Sequence, residues 1–301
     1  MVSLIPARLA KSDTISARLA RGILSSPKAT IAAILCVLLI AASLLAPWIA
    51  PQNPYDLGAI DFFDSRLPPG STSMGGMTYW LGTDTQGRDM LSAMLYGLRT
   101  SLGVGATAGL LAMLVGTLLG LIAAYARGWL DALIMRFVDL MLSLPTILVA
   151  LMILVIFGQG TWKVILALIF VQWAYFARAV RAAALVETGK DYVDAARCLG
   201  LSPLRILIWH ILPNCLPQLI VIATIQVATA IAAEATLSFL GIGLPITEPS
   251  LGLLIANGYQ VLMAGLYWMS VFPGVLLLVL VFSINVVGDR LREVLNPRLA
   301  Q

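Results

Sequence analysis

Six apolar runs, at about residues 29–50, 100–126, 133–157, 162–180, 216–242 and 267–287, leave this chain few ways to fold outside a lipid bilayer. A bilayer core takes about 20 apolar residues per helix, because each backbone N–H and C=O must be satisfied within the spanning segment. The first run, Ala29–Ala50, has 22 residues and no charge. Composition agrees, with 60% hydrophobic residues, a mean hydropathy of +0.94 and only 11% charged residues, against about 25% charged in soluble domains. The expected fold class is an all-α membrane protein with six transmembrane helices. The first run exceeds the apolar region of about 7 to 15 residues in a signal peptide and ends in Pro47, Trp48 and Pro51, so it reads as a retained span.

Cytoplasmic loops of membrane proteins collect Lys and Arg. With the N-terminus inside, the inner segments hold five (Arg8, Lys11, Arg18, Arg21, Lys28), two (Arg127, Arg136), five (Arg178, Arg181, Lys190, Arg197, Arg205) and three (Arg290, Arg292, Arg298), or 15 of the 19. Outside stand Arg66, Arg88, Arg99 and Lys163. Both termini are therefore expected in the cytoplasm. Topology accounts for the net charge of +4 without nucleic acid, and the basic tail can also touch anionic membrane lipid, at about 1 kcal/mol per charge. The organisation expected is a cytoplasmic tail (1–28), a first span (29–50), an extracytoplasmic loop (51–99), a core of five spans (100–288) and a cytoplasmic tail (289–301). Gly103, Gly105, Gly109, Gly116 and Gly120 in the second run suit close helix packing.

Chemistry has little to draw on. Cys36, Cys198 and Cys215 have no paired spacing, and with one histidine, His210, no metal site is expected. No Gly-x-x-x-x-Gly-Lys-Ser/Thr phosphate loop is present, and no Ser/His/Asp cluster suggests an integral membrane enzyme. A stand-alone secondary transporter or channel is the other rival, but no clear internal repeat supports it.

One long polar interruption stands out, Glu187 to Pro213, which reads as helix, turn, helix. Tyr192, Ala195, Ala196 and Leu199 lie at i, i+3, i+4 and i+7 and are expected on one helix face. Gly200 suits the left-handed position after a helix end, and Ser202 with Pro203 suits the cap and first position of the next helix. Such a hairpin either docks a neighbour through its small alanines or lies on the lipid headgroups.

Residues Asp194, Ala195, Ala196, Gly200 and Pro213 in this loop fit the Glu-Ala-Ala, three residues, Gly, nine residues, short stretch ending in Pro pattern of another group of proteins. In them the chain resembles the permease subunits of binding-protein-dependent ATP-driven importers, with Asp194 in place of the usual Glu. Four further stretches narrow the resemblance to the C-type subunit of the dipeptide, oligopeptide and nickel permease family. They are Leu81–Asp89 (LGTDTQGRD), Met135–Pro145 (MRFVDLMLSLP), Leu237–Gly243 (LSFLGIG) and Gly288–Leu299 (GDRLREVLNPRL). Leu251 stands before Gly252 where these subunits usually carry Trp.

The resemblance implies the permease fold of a type I ABC importer in a bacterial inner membrane, paired with a B-type permease as a heterodimer. It further implies two ATPase subunits that use ATP and Mg, an extracytoplasmic solute-binding protein, and dipeptides, oligopeptides or related solutes as cargo. No enzymatic activity and no bound cofactor are expected of this chain. Asp191, Asp194, Ala195, Ala196, Gly200 and Pro213 are the expected ATPase-coupling residues, and Gly82, Asp84, Gly87, Arg88 and Asp89 form the extracytoplasmic motif, either ordering the outer entry helix or touching the binding protein.

Acids in spans need a reason, since burial at mid-membrane costs about 2.5 to 3.5 kcal/mol. Glu234, with Ser238 one turn on, is placed to line the translocation pathway, or else to meet a structural partner or water. Arg136 and Asp139 are three apart and are expected to pair with each other. Trp48, Trp80, Trp129, Trp162, Trp209 and Trp268 fit an interfacial belt.

Overall fold

A computed structural model describes residues 15–295, apart from 57, 59 and 74. Arg8, Lys11, Arg298 and the Asn296–Leu299 end of the last motif lie outside the described residues. Helices α1 (Ile15–Leu24), α2 (Pro27–Leu44) and α3 (Ala46–Ile49) lead to a loop with a short hairpin, β1 (Ser71–Thr72) and β2 (Thr78–Tyr79). Then follow α4 (Met90–Ala126), α5 (Gly128–Ser143), α6 (Thr146–Phe157), α7 (Thr161–Thr188), α8 (Asp191–Cys198), α9 (Pro203–Ile206), α10 (Leu212–Phe239), α11 (Leu251–Gln260) and α12 (Trp268–Leu295).

Among the described residues, five helical units are long and apolar enough to cross a membrane, and α5 and α6 pass the same test only together, as a pair bent by 92° that is either a broken span or a re-entrant loop. The bend has a local cause. Proline disfavours the helical region for the residue before it, and Leu144, before Pro145, is extended at φ −90°, ψ 142°. At 1.5 Å per residue, the 12 residues of α6 reach only about 18 Å, too short to cross alone.

The second span begins earlier than its hydropathy indicates, at Met90 rather than near residue 100. Its small residues set the packing of the core. Side-chain carbons at Gly116 and Gly120 would strike the α7 backbone at Trp173 and Ala177, and those at Gly105 and Gly109 would meet Ile231 and Val227 of α10. Two Gly-xxx-Gly pairs thus let α4 lie directly against two neighbours.

Ion pairing departs from the sequence expectation. Asp139 pairs with Arg178 of α7 rather than with Arg136, and Asp131 accepts two bonds from Arg181, at 2.5 and 2.6 Å. Helices α5 and α7 run antiparallel, so acids eight residues apart on one meet arginines three apart on the other. At the far end of the chain, Arg290 of α12 donates to the Gly22 carbonyl (2.9 Å) and to Ser25 Oγ (2.8 Å), which fixes α1 beside the end of α12.

Candidate functional site

The polar interruption is not a free-standing hairpin. Glu187 and Thr188 are the last residues of α7, and α9, one π turn at Leu207–Ile211 and α10 run together as a single unit from Pro203 to Phe239. Only residues 189–202 lie between two spanning helices. The second arm expected as a separate helix is therefore the extended end of the fifth span.

Proline explains the π turn. Pro213 has no N–H to continue the α ladder. The Leu212 N–H instead reaches five residues back to the Leu207 carbonyl, and the Asn214 side chain donates to the His210 carbonyl at 2.7 Å.

Helix α8 carries Asp191 and Asp194 in its first turn and Arg197 in its last, signs that match the helix dipole. Asp194 pairs with Arg197 at 2.8 Å, with both side chains exposed, so this pair contributes little. The helix closes in a Schellman motif: Gly200 takes φ +71°, its N–H bonds the Arg197 carbonyl, and Leu201 N–H bonds the Ala196 carbonyl. Ser202 and Pro203 start α9 as expected, although the Ser202 side chain makes no cap bond.

A chain of hydrogen bonds clasps the two spans across this turn. Glu187 accepts from Lys190 Nζ and Tyr192 OH, both at 2.7 Å, and Asn214 Nδ2 donates to the Tyr192 oxygen at 3.2 Å. Burial and the Glu187 carboxylate push the Tyr192 phenol up to about 12. The stability linked to that shift is present below the ordinary tyrosine value near 10 and is lost as pH rises through about 12. A difference titration of parent against Tyr192→Phe is expected to give a midpoint near 12, and Glu187→Gln is expected to move it back toward about 10. An unshifted midpoint in the parent would refute the clasp.

The single apolar face expected from Tyr192, Ala195, Ala196 and Leu199 is divided between two sides. Ala196, 4% exposed, turns inward with Val193 to pack on Ile206, Ile211 and Cys215 and on Phe176, Val180 and Ala184 of α7. Ala195 faces outward, and with it Leu199 (79% exposed), Leu204 and Trp209. Ala196 is thus a core residue of the turn, not part of its outer surface. Pro213 and Asp191 are exposed.

Glu234 and Ser238 lie together in the packed interior. Both are 0% exposed, packed inside the subunit rather than on any surface. The Ser101 and Ser238 hydroxyls donate to the two Glu234 oxygens at 2.7 and 2.8 Å, and Ser250 adds a further contact. Ser250 is the N-cap of α11, so the acid ties α4 and α10 to the start of that short helix. Serines in apolar runs were the available signal for these partners. Glu234→Ala is expected to destabilise by about 1–3 kcal/mol through orphaned buried hydroxyls, read by thermal melting in detergent, while Glu234→Gln retains most stability and solute preference. A changed solute preference in Glu234→Gln with unaltered melting would restore the pathway reading.

The Leu81–Asp89 motif is a buried knot. Asp84 accepts from Gln86 N (2.8 Å), Arg88 N (3.0 Å) and Arg88 Nε (2.6 Å). Asp89 caps α4 by accepting from Ser92 N and Oγ. Gly87, at φ +82°, lies where a side chain would overlap the Asp61 carbonyl, and Gly82 packs on the Leu67 carbonyl and Trp268. Asp84, Arg88 and Asp89 are all buried, and their bonds order the entry to α4. Leu251 is also buried, and a side chain at Gly252 would collide with the Ala235 backbone, so α11 is held tightly against α10.

Comparison with known proteins agrees with this arrangement. Residues 116–301 match the family of binding-protein-dependent transport system inner membrane components. The dipeptide transport system permease protein DppC of Escherichia coli K12 is 41% identical over 274 residues, covering 91% of this chain and 90% of its own. The di/tripeptide transport system permease protein DppC of Pseudomonas aeruginosa is 38% identical over 264 residues, covering 87% and 86%. A solved inward-facing structure of the MetNI methionine ABC transporter aligns with TM-score 0.56 and 25% identity, over 68% of this chain and 97% of that one.

Proposed function

We propose, from the premise that this chain belongs to the family of binding-protein-dependent transport system inner membrane components, that it carries half of the translocation pathway for short peptides. It is a multi-span permease subunit of an ABC importer in a bacterial inner membrane, working with an ATPase and a solute-binding protein. The peptide cargo is our reading, supported by relatives named as dipeptide and di/tripeptide permeases. So are a heterodimer with a B-type permease, two ATPase subunits that use ATP and Mg, and cytoplasmic placement of both termini and of α8. No ATP hydrolysis is assigned to this chain.

The observation that carries the mechanism is the packing of α8 against two spans, α7 and α10. Its inner side is packed and clasped to α7 and α10, while on its outer side Ala195 is exposed, as are Leu199, Leu204 and Trp209 beyond its end. An ATPase gripping that outer side moves both spans together, since no flexible linker separates α9 from α10. In this reading Asp191, Asp194 and Ala195 contact the ATPase, whereas Ala196, Gly200 and Pro213 shape the turn.

The test is reconstitution of this chain with its B-type partner, ATPases and binding protein in liposomes. ATP-dependent uptake of a dipeptide is expected, with the ATPases copurifying. Uptake by this chain alone, without ATPases, would refute the reading in favour of a secondary transporter.

A further inference from the structure

Two uncharged residues in the spans, Gln172 of α7 and Gln226 of α10, are 3% and 6% exposed. Neither has its hydrogen-bonding capacity filled. The Gln172 amide donates to the main-chain carbonyl of Gln226 at 3.3 Å, which fixes its orientation and leaves Oε1 without a partner. Gln226 Nε2 also lacks one.

Both glutamines line a cavity of about 50 Å³ between α6, α7 and α10, with Thr146, Tyr175 and Thr229 among the other lining residues. Its lining includes no charged side chain. The cavity lies near the middle of both helices, since Gln172 and Gln226 are far from either end of Thr161–Thr188 and Leu212–Phe239. Buried polar groups are ordinarily satisfied, and polar groups in a span default to a functional role. One free acceptor on α7 and one free donor on α10 form the complement of a secondary amide, whose N–H seeks the first and whose C=O seeks the second.

We propose that this pocket is a solute-contact subsite that recognises a main-chain peptide bond through Gln172 Oε1 and Gln226 Nε2. The assignment rests on the peptide reading above. At about 50 Å³, it has room for only a few waters, at about 10–15 Å³ each, so in this conformation the subsite is closed to solute. Helices α7 and α10 are the two attached to α8, so a pull on α8 that changes their crossing changes the width of the pocket. The absence of charge suits a neutral amide rather than the termini of a peptide, and lets side chains vary freely.

The experiment compares ATP-driven uptake of alanyl-alanine and of its ester analogue, alanyl-lactate, by the complete reconstituted transporter and its Gln172→Met, Gln226→Met and double variants. Loss of one hydrogen bond is worth about tenfold. Dipeptide uptake is expected to fall about that much in Gln172→Met. Ester uptake is expected to fall far less, because the ester has no N–H for Oε1. The binding protein is the same throughout, so a changed amide-to-ester ratio originates in this chain. In Gln226→Met both solutes are expected to fall alike, because the ester keeps the carbonyl that Nε2 serves. Unchanged dipeptide uptake by the double variant, or an equal fall for both solutes in Gln172→Met, overturns the subsite and leaves a water-filled structural pocket. No dipeptide uptake by the parent overturns the peptide reading, and the subsite with it.

Discussion

Replacing Ala195 with arginine is expected to cut solute uptake by at least about 30-fold while leaving the chain inserted and as thermally stable as the parent. Ala195 faces outward on α8, so the added side chain meets no packed atom of its own subunit. An unpaired charge forced into an interface costs about 2–5 kcal/mol, and 2 kcal/mol corresponds to about 30-fold in docking. Basal ATP hydrolysis by the ATPases should persist, uncoupled from transport.

Its neighbour provides the contrast. Ala196→Arg places a guanidinium among Val193, Ile206 and Val180, where the expected result is loss of protein from the membrane, because an unpaired buried charge is far costlier than an exposed one. Membrane abundance, copurified ATPase and uptake, measured together, separate the two. Normal uptake by Ala195→Arg sinks the docking assignment. Full abundance of Ala196→Arg sinks the placement of Ala196 in the core.

Asp84→Ala is expected to destabilise the loop before α4 by about 3–5 kcal/mol, the cost of breaking a buried ion pair by removing one partner. Arg88, 1% exposed, is left without its counter-charge, and the Gln86 and Arg88 amides lose their acceptor. The double variant Asp84→Leu, Arg88→Met should recover much of the loss, since apolar replacements of both partners are often neutral. Protease cleavage within residues 60–89 and detergent melting measure it. A parent-like melting curve for Asp84→Ala would show that the pair does not hold the loop.

Much of this protein was legible in its sequence. Hydropathy summed over about 20 residues finds the apolar helices, and Gly200 marks the end of α8, whereas the run 133–157, expected as one span, is bent before Pro145. The local motif Asp84-x-x-x-Arg88 holds its own ion pair, because the tight turn closed by Gly87 N–H to Asp84 O brings partners four residues apart together. Arg136 and Asp139 follow the same local rule, yet Asp139 bonds Arg178, 39 residues away. Spacing alone does not know which helix will be adjacent.

The sequence by itself determined that the chain lives in a membrane, crosses it about six times, and interrupts those crossings with one polar turn of a recognisable family pattern. These are sums and spacings along the chain, set by the cost of placing charge and unpaired backbone in lipid. The tertiary structure alone decided that Glu234 meets Ser101, 133 residues away, and that Gln172 and Gln226 share a pocket. It also decided that Ala195 looks out while Ala196 looks in. Adjacent residues on a helix differ by about 100° in direction, and which direction is inward depends on where α7 and α10 come to lie.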